Sequence, residues 1–269
     1  MRRLNPGLVV RIVLILLYLL PLIFVVLASL KSNAEVQNHP SSVIFPVTIE
    51  AYRTVITRTL ARALLNSLVI ATGSTFVTVT LGTPLAYVLA RVRARWTGLI
   101  IGVLIALQMT PPATSVIPLY RVLALLNALG SYTGVIIAIA AGALPYAILL
   151  LRPFFLAVPP AVEEAAQIDG AGELRTFLQV VLPLARNGVL LITVLLFIGA
   201  WGEFLYAVSF LNDAQLFPLS VNLVQQQGFY GTQYNNLMAL ALIGAAPTVV
   251  LFAFVAKRLT SGLALGVGK

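Results

Sequence analysis

The chain contains no cysteine, a single histidine and few charges. Without cysteine there is no disulfide framework and no thiolate-held metal. The one histidine, His39, lies in a polar stretch and is expected to be a solvated loop residue. No His-x-x-x-His pair is present, so the sequence offers neither a metal site nor the constellation of an intramembrane enzyme. A phosphate-cradling G-x-x-x-x-G-K-[ST] pattern is also missing, and no nucleotide cofactor is expected on this chain. Only 9% of the residues are charged, against about 25% in ordinary soluble domains. A soluble globular fold is thereby disfavoured.

What fills the 269 residues instead is apolar: 60% are hydrophobic. They fall into blocks long enough to cross a bilayer, which takes about 20 residues of helix. Six such blocks lie at about 8–30, 64–90, 99–119, 132–151, 188–211 and 236–256. The first is too long for the core of a secretory signal, about 7–15 residues, and is read as a retained helix. Lys31-Ser-Asn stops it, and Arg91-Val-Arg-Ala-Arg95 closes the second. Pro111-Pro112 and Pro118 interrupt the third, Arg152-Pro153 closes the fourth, and Lys257-Arg258 closes the sixth before a short Gly-rich tail. Between the first two blocks, Ile49–Ile56 fits a short interfacial helix. The expected fold is all-α: one polytopic membrane domain, 1–269, with six transmembrane helices.

The formal net charge is +9. The basic residues sit at block edges, where membrane orientation explains them better than nucleic acid does. With the N-terminus inside, the inner segments hold Arg2, Arg3, Arg11, Arg91, Arg93, Arg95, Arg152, Arg175, Arg186, Lys257, Arg258 and Lys269. The outer segments hold Lys31, Arg53, Arg58, Arg62 and Arg121. This 12-to-5 division predicts that both termini, and the long segment 152–187, are cytoplasmic.

That segment is a long amphipathic stretch between two spans. Pro159-Pro160 suits a helix start, because proline in the first turn costs no internal hydrogen bond. Glu163 and Glu164 follow near the positive end of the helix dipole, then the small, helix-favouring Ala165 and Ala166. Asp169-Gly170 predicts a turn, with Gly172 a second flexible point. A second helix fits Glu173–Val181, with Leu174, Phe177, Leu178 and Val181 at spacings of three and four. Leu182-Pro183 is expected to end it before the fifth span.

Written as a pattern, Glu164 to Pro183 reads E-A-A-x3-G-x9-V-x-L-P. It resembles the coupling loop by which permease subunits of binding-protein-dependent ATP-driven (ABC) importers engage their ATPase. The resemblance extends over nearly the whole chain, and is to the carbohydrate-type branch, the class that includes the maltose system's shorter permease. It is carried by Glu50-Ala-Tyr-Arg-Thr-Val55, Asn66-Ser-Leu68, Leu85-Ala-Tyr87 through Ala90-Arg91, and Ile117-Pro-Leu-Tyr120. Leu144-Pro-Tyr146, Arg152-Pro-Phe-Phe155, Glu163 through Ala171, Trp201-Gly-Glu-Phe204 and Gly262-Leu263 continue it. Gly202 departs from it where the family usually has Asn, and the tail Lys257–Lys269 follows it only loosely.

The resemblance implies a multi-pass protein of the bacterial inner (plasma) membrane. It would form a heterodimer with a second permease, above two ATPase subunits that bind ATP and Mg, and below an external solute-binding protein. A cytoplasmic coupling helix would lie between spans 4 and 5. Glu163, Glu164, Ala165, Ala166, Asp169, Gly170 and Pro183 are the residues it places in the ATPase contact. Catalytic residues are not expected.

For the solute path the residues themselves offer two groups. Glu203 is the only acidic residue in a predicted span, and intramembrane ionisable groups face cavities or partners. Trp201 and Tyr206 flank it, with rings suited to sugar faces; pairing of Glu203 with the second permease is an equal reading. Gln108 and Thr110 precede the Pro111-Pro112 break, and broken helices often line cavities, although packing alone also accounts for them. Asn66, Ser67, Thr72 and Ser74 fit interhelical hydrogen bonding, and Gly73, Gly82, Gly199 and Gly202 fit close helix contacts.

A sugar or sugar-like polyol is the expected solute. An importer of another solute is the alternative within the class, since a family does not fix a substrate. A self-contained secondary transporter would call for inverted repeats and paired intramembrane charges. The two halves show neither.

Overall fold

The computed structural model describes residues 6–92, 94–228 and 231–264. Arg2, Arg3, Arg93 and Lys269, used above for orientation, lie outside them. The chain forms helices almost throughout: α1 (Pro6–Ser29), α2 (Asn33–Asn38), α3 (Glu50–Val55), α4 (Arg58–Arg91), α5 (Arg95–Gln108), α6 (Pro112–Leu125), α7 (Tyr132–Leu156) and α8 (Pro160–Ile168). Then follow α9 (Glu173–Thr176), a π turn (Phe177–Val181), α10 (Leu182–Trp201), α11 (Leu205–Phe210), α12 (Leu219–Gln225) and α13 (Tyr234–Ala264). A two-residue antiparallel pairing, Gln227–Gly228 with Gly231–Thr232, precedes α13.

Five of these helices or helix runs are long and apolar enough to cross a membrane: α1, α4, α7, the run Glu173–Trp201, and α13. The third block is not one rod. α5 and α6 have 14 residues each, about 21 Å at 1.5 Å per residue, and neither alone crosses a 30 Å core. They meet at 99° and make a sixth span only as a pair. The cause is the proline pair: Pro112 starts α6 where no N–H is needed, and it cannot donate to the carbonyl that would continue α5.

The chain divides into two compact units, one of residues 1–62 with 222–247, the other of 63–221 with 248–269. In the first unit, α1 is apolar on all sides and most of its large side chains are exposed, as on a helix whose solvent is lipid. Lys31, at its end, is nevertheless only 1% exposed. Its Nζ donates to the carbonyls of His39 (3.0 Å) and Pro40 (3.1 Å) and lies 4.8 Å from the Phe45 ring centroid. This fastens the polar segment after α1 against the helix end, and His39 itself stays exposed. Tyr52 of α3 shares a 2.8 Å hydroxyl–hydroxyl bond with Ser29.

The second unit has two apolar clusters. One gathers Ile70, Leu123, Val135, Trp201, Phe210 and Val221; the other gathers Ala86, Leu151, Phe155, Phe177, Val181 and Ile192. Small residues set the helix approach. A Cβ on Gly188 of α10 would fall 2.2 Å from the Phe154 ring of α7, and one on Gly73 of α4 would fall 2.6 Å from Ile136. Gly82 packs on Ala147. Gly199 has nothing within 4 Å of its Cβ position, and Gly202 ends α10, so neither is a packing glycine. Of the four polar residues expected as interhelical glue, Asn66 and Ser67 serve: Asn66 bonds Tyr132, Gln215 and Phe217, and Ser67 accepts from the Leu219 N–H at 2.9 Å. Ser74 bonds back to its own helix and Thr72 is exposed.

Several expected boundaries differ. α7 runs through Arg152-Pro153 to Leu156, and α13 runs through Lys257-Arg258 to Ala264. The fifth block is divided, because α10 stops at Trp201 and α11 restarts at Leu205. Leu182-Pro183 does not end the preceding helix either. The run from Glu173 to Trp201 is continuous through the π turn, where the Leu182 N–H reaches the Phe177 carbonyl, five residues back. A proline ring clashes with the carbonyl four residues earlier. The wider turn just ahead of Pro183 makes room for it.

Candidate functional site

Two places in the second unit draw the singled-out residues together. The first is the α8–turn–α9 element. α8 starts at Pro160, as the proline pair predicts, with Glu163 in its first turn. Gly170 follows at φ +85°, in the left-handed region that glycine enters freely. Its N–H bonds the Gln167 carbonyl at 3.0 Å, and the Ala171 N–H bonds Ala166 at 2.9 Å, which closes the end of α8. Gly172 then caps α9. The sharp turn expected at Asp169-Gly170 is present.

The two glutamates point to different environments. Glu164, Ala165, Gln167, Ile168, Asp169 and Gly170 are exposed, with Ala166 half-buried. Glu163 is buried. Its carboxylate is ion-paired to Arg91 at the end of α4, accepting from Nη2 and, at 2.7 Å, from Nε. The Tyr87 hydroxyl donates to its second oxygen at 2.9 Å. Arg91 also donates to the carbonyl of Val158, just ahead of α8, at 2.9 Å. Beneath this network Tyr87, Phe155 and Phe177 pack ring against ring, with centroids 4.8–6.3 Å apart. Glu163 is therefore an internal tie and not an outward contact. Pro183 is exposed on the first turn of α10, away from the turn at Gly170 in sequence and bonded to neither glutamate.

The second place is a cavity of about 600 Å³ bordered by the broken span, α7, α10 and the start of α11. Gln108, Thr110, Glu203 and Tyr206 all line it, as do Ser115 and Gly142. Gln108 Nε2 donates to the Gly142 carbonyl at 3.2 Å. Ser115 and Tyr206 share a hydroxyl–hydroxyl bond of 2.7 Å. Glu203 accepts the Tyr206 N–H at 2.8 Å, capping α11, while its carbonyl accepts from Ser220 at 2.6 Å. The wall is mainly apolar with a few converging polar groups, the usual make-up of a small-molecule site. Trp201 is not part of it: its ring is buried, stacked on Phe197 at 5.8 Å.

Sequence reasoning missed Tyr87 and Arg91, whose i, i+4 spacing at the end of α4 was visible, and Ser115, one turn beyond the proline pair. No group of three or more potential metal ligands occurs among the described residues.

The family model described as "binding-protein-dependent transport system inner membrane component" matches residues 82–263. The sulfoquinovosyl glycerol transport system permease protein of Agrobacterium fabrum is 33% identical over 251 residues, 92% of this chain and 88% of its own length. The glucose import system permease protein of Saccharolobus solfataricus is 28% identical over 263 residues, 94% and 91% of the two chains. Among solved structures, a chain of a bacterial ABC transporter involved in import of the acidic polysaccharide alginate has a TM-score of 0.78. It is 22% identical, with 93% of this chain and 94% of that one covered, and the likeness is one of fold.

Proposed function

Since the chain belongs to the family of binding-protein-dependent transport system inner membrane components, we propose that it is one permease subunit of an ATP-driven importer of sugars or sugar-like solutes. The observation that carries the coupling part is the α8–turn–α9 element. It is a short helix held rigidly to the bundle on one side and exposed on the other, ended by a glycine at φ +85°. Its exposed residues Glu164, Ala165, Asp169 and Gly170 form the face that seats in a partner ATPase.

In this reading both termini and α8 are cytoplasmic, in keeping with the distribution of Lys and Arg. A second permease completes the path. Two ATPase subunits hold ATP and Mg, and an external binding protein delivers the solute. This chain performs no catalysis. ATP-driven closure of the ATPase pair displaces α8, and the helices exchange inward-facing for outward-facing arrangements. Such coupling needs ATP and loaded binding protein to favour the same state.

Sugar as solute rests on the kinds of solute that the named relatives import and on the cavity. Gln108, Ser115, Glu203 and Tyr206 present hydrogen-bonding groups on a largely apolar wall, which suits hydroxyl-bearing rings.

The test is purification of tagged chain from native membranes in mild detergent, with co-purifying proteins identified by mass spectrometry, for wild type and Gly170→Asp. Recovery of an ATPase and a second six-span permease, with the ATPase lost from the variant, is the expected result. Recovery of the chain alone, able to transport solute without an ATPase, would replace this reading by a self-contained transporter.

A further inference from the structure

We infer that Glu163 is a positioning residue, which with Arg91 and Tyr87 fixes α8 to the end of α4 so that displacement of α8 is passed into the bundle. The inference rests on the importer reading for its functional half. Its structural half stands on geometry. Both oxygens of the carboxylate are engaged, one by Arg91 and one by Tyr87, and these two donors sit one turn apart on α4. The same guanidinium reaches the Val158 carbonyl, so one side chain holds both the entry to α8 and its first turn. Arg152 Nε adds a bond from α7 to the Leu89 carbonyl of α4 at 3.1 Å. At the other end of the element, Phe177 and Val181 are buried in the second apolar cluster. The α8–turn–α9 element is thus fastened at both ends, with the outer face of α8 exposed between.

A buried ion pair contributes little net stability compared with apolar packing, because desolvation offsets the attraction. What it does supply is direction. A salt bridge with two flanking hydrogen bonds tolerates little sliding, whereas apolar contacts such as Phe155 on Phe177 can slip. Adjacent glutamates then divide the work: Glu164 meets the partner and Glu163 holds the lever. Seen this way, the pair Tyr87 and Arg91 is as much a part of the coupling device as the loop itself.

The absence of cysteine makes the test direct. Spin labels on Leu85→Cys and Gln167→Cys, both exposed positions on α4 and α8, report the spread of distances between the helices. Import and ATP hydrolysis are measured in the unlabelled complex reconstituted in vesicles. Glu163→Gln is expected to broaden the distance distribution and to lower solute imported per ATP about ten-fold, within the usual range of coupling energies. The ATPase is expected to remain bound. The reciprocal exchange Arg91→Glu with Glu163→Arg regains the ion pair but not the bonds to Val158 and Tyr87, and is expected to restore both readouts in part. An unchanged distribution in Glu163→Gln overturns the clamp. A broadened distribution with import per ATP intact overturns its role in transmission. Failure of the exchange to restore either readout overturns the charge pair as the cause. If wild-type chain retains no ATPase, the importer reading falls, and the spin-label distances still decide the clamp.

Discussion

Tyr132 at the start of α7 donates its hydroxyl to the side-chain oxygen of Asn66 in α4, at 2.7 Å. The amide nitrogen of the same Asn66 donates to the carbonyls of Gln215 (2.8 Å) and Phe217 (3.0 Å). One buried amide thereby joins two long helices to a loop some 150 residues later in the chain. Asn66→Leu leaves a hydroxyl and two carbonyls without this partner. The expected loss is about 2–4 kcal/mol for the three hydrogen bonds removed, at about 1 kcal/mol each, and Tyr132→Phe is expected to cost about 1 kcal/mol. Thermal unfolding in detergent, followed by size-exclusion of the fluorescently tagged chain, ranks the two; equal melting of Asn66→Leu and wild type would refute the assignment.

Gly170 has open space where a side chain would go, so substitution there is limited by the backbone and not by clash. At φ +85° an L-residue pays about 1–2 kcal/mol. Gly170→Ala is expected to fold and insert normally but to recover less ATPase on purification, and Gly170→Asn, which tolerates this conformation better, to lie between it and wild type. Equal ATPase recovery for all three would show that the turn is not part of the contact.

At Gly188 the limit is steric. A Cβ would enter the Phe154 ring, and overpacking of this kind costs about 1–3 kcal/mol. Gly188→Ala is expected to lower the melting temperature, and Phe154→Leu in the same chain to recover much of the loss. A double variant no better than the sum of the single ones would mean that the two residues do not share the space.

In the cavity, Tyr206→Phe removes one hydroxyl from the wall and the bond to Ser115 while keeping the ring stacked on Phe210. Ser115→Ala does the same from the other side. Each is expected to raise the solute concentration for half-maximal import several-fold, about 1 kcal/mol per lost hydrogen bond, with ATPase recovery unchanged. Altered ATPase recovery with unaltered solute dependence would place both residues outside the path.

That the chain carries several long apolar helices was legible because long hydrophobic runs have no other home. The break in the third block was legible from Pro111-Pro112. The turn at Gly170 followed from local residue chemistry as well. Local pattern failed where a distant partner decides the outcome. Glu163 and Glu164 look alike in sequence, and what separates them is Tyr87 and Arg91, 76 and 72 residues earlier. Leu182-Pro183 reads as a helix end, and only a π turn before it lets the helix continue. Gly202 was read as a packing glycine, yet it stands at the end of α10, directly before the Glu203 that caps α11. Trp201 was placed in the path with its neighbours because sequence adjacency does not report which side of a helix end is hollow.

The proline pair of the broken span has a bearing on how solute preference can change. In an unbroken helix the carbonyl of Gln108 would receive the N–H of residue 112, but Pro112 has none to give. The proline break therefore removes the helical donor for that carbonyl, in a residue that lines the cavity. A main-chain group is the same whatever side chain the residue bears. Selection acting on solute range has little purchase on that group, and its variation is expected at the side chains that line the cavity, Ser115, Glu203 and Tyr206 among them.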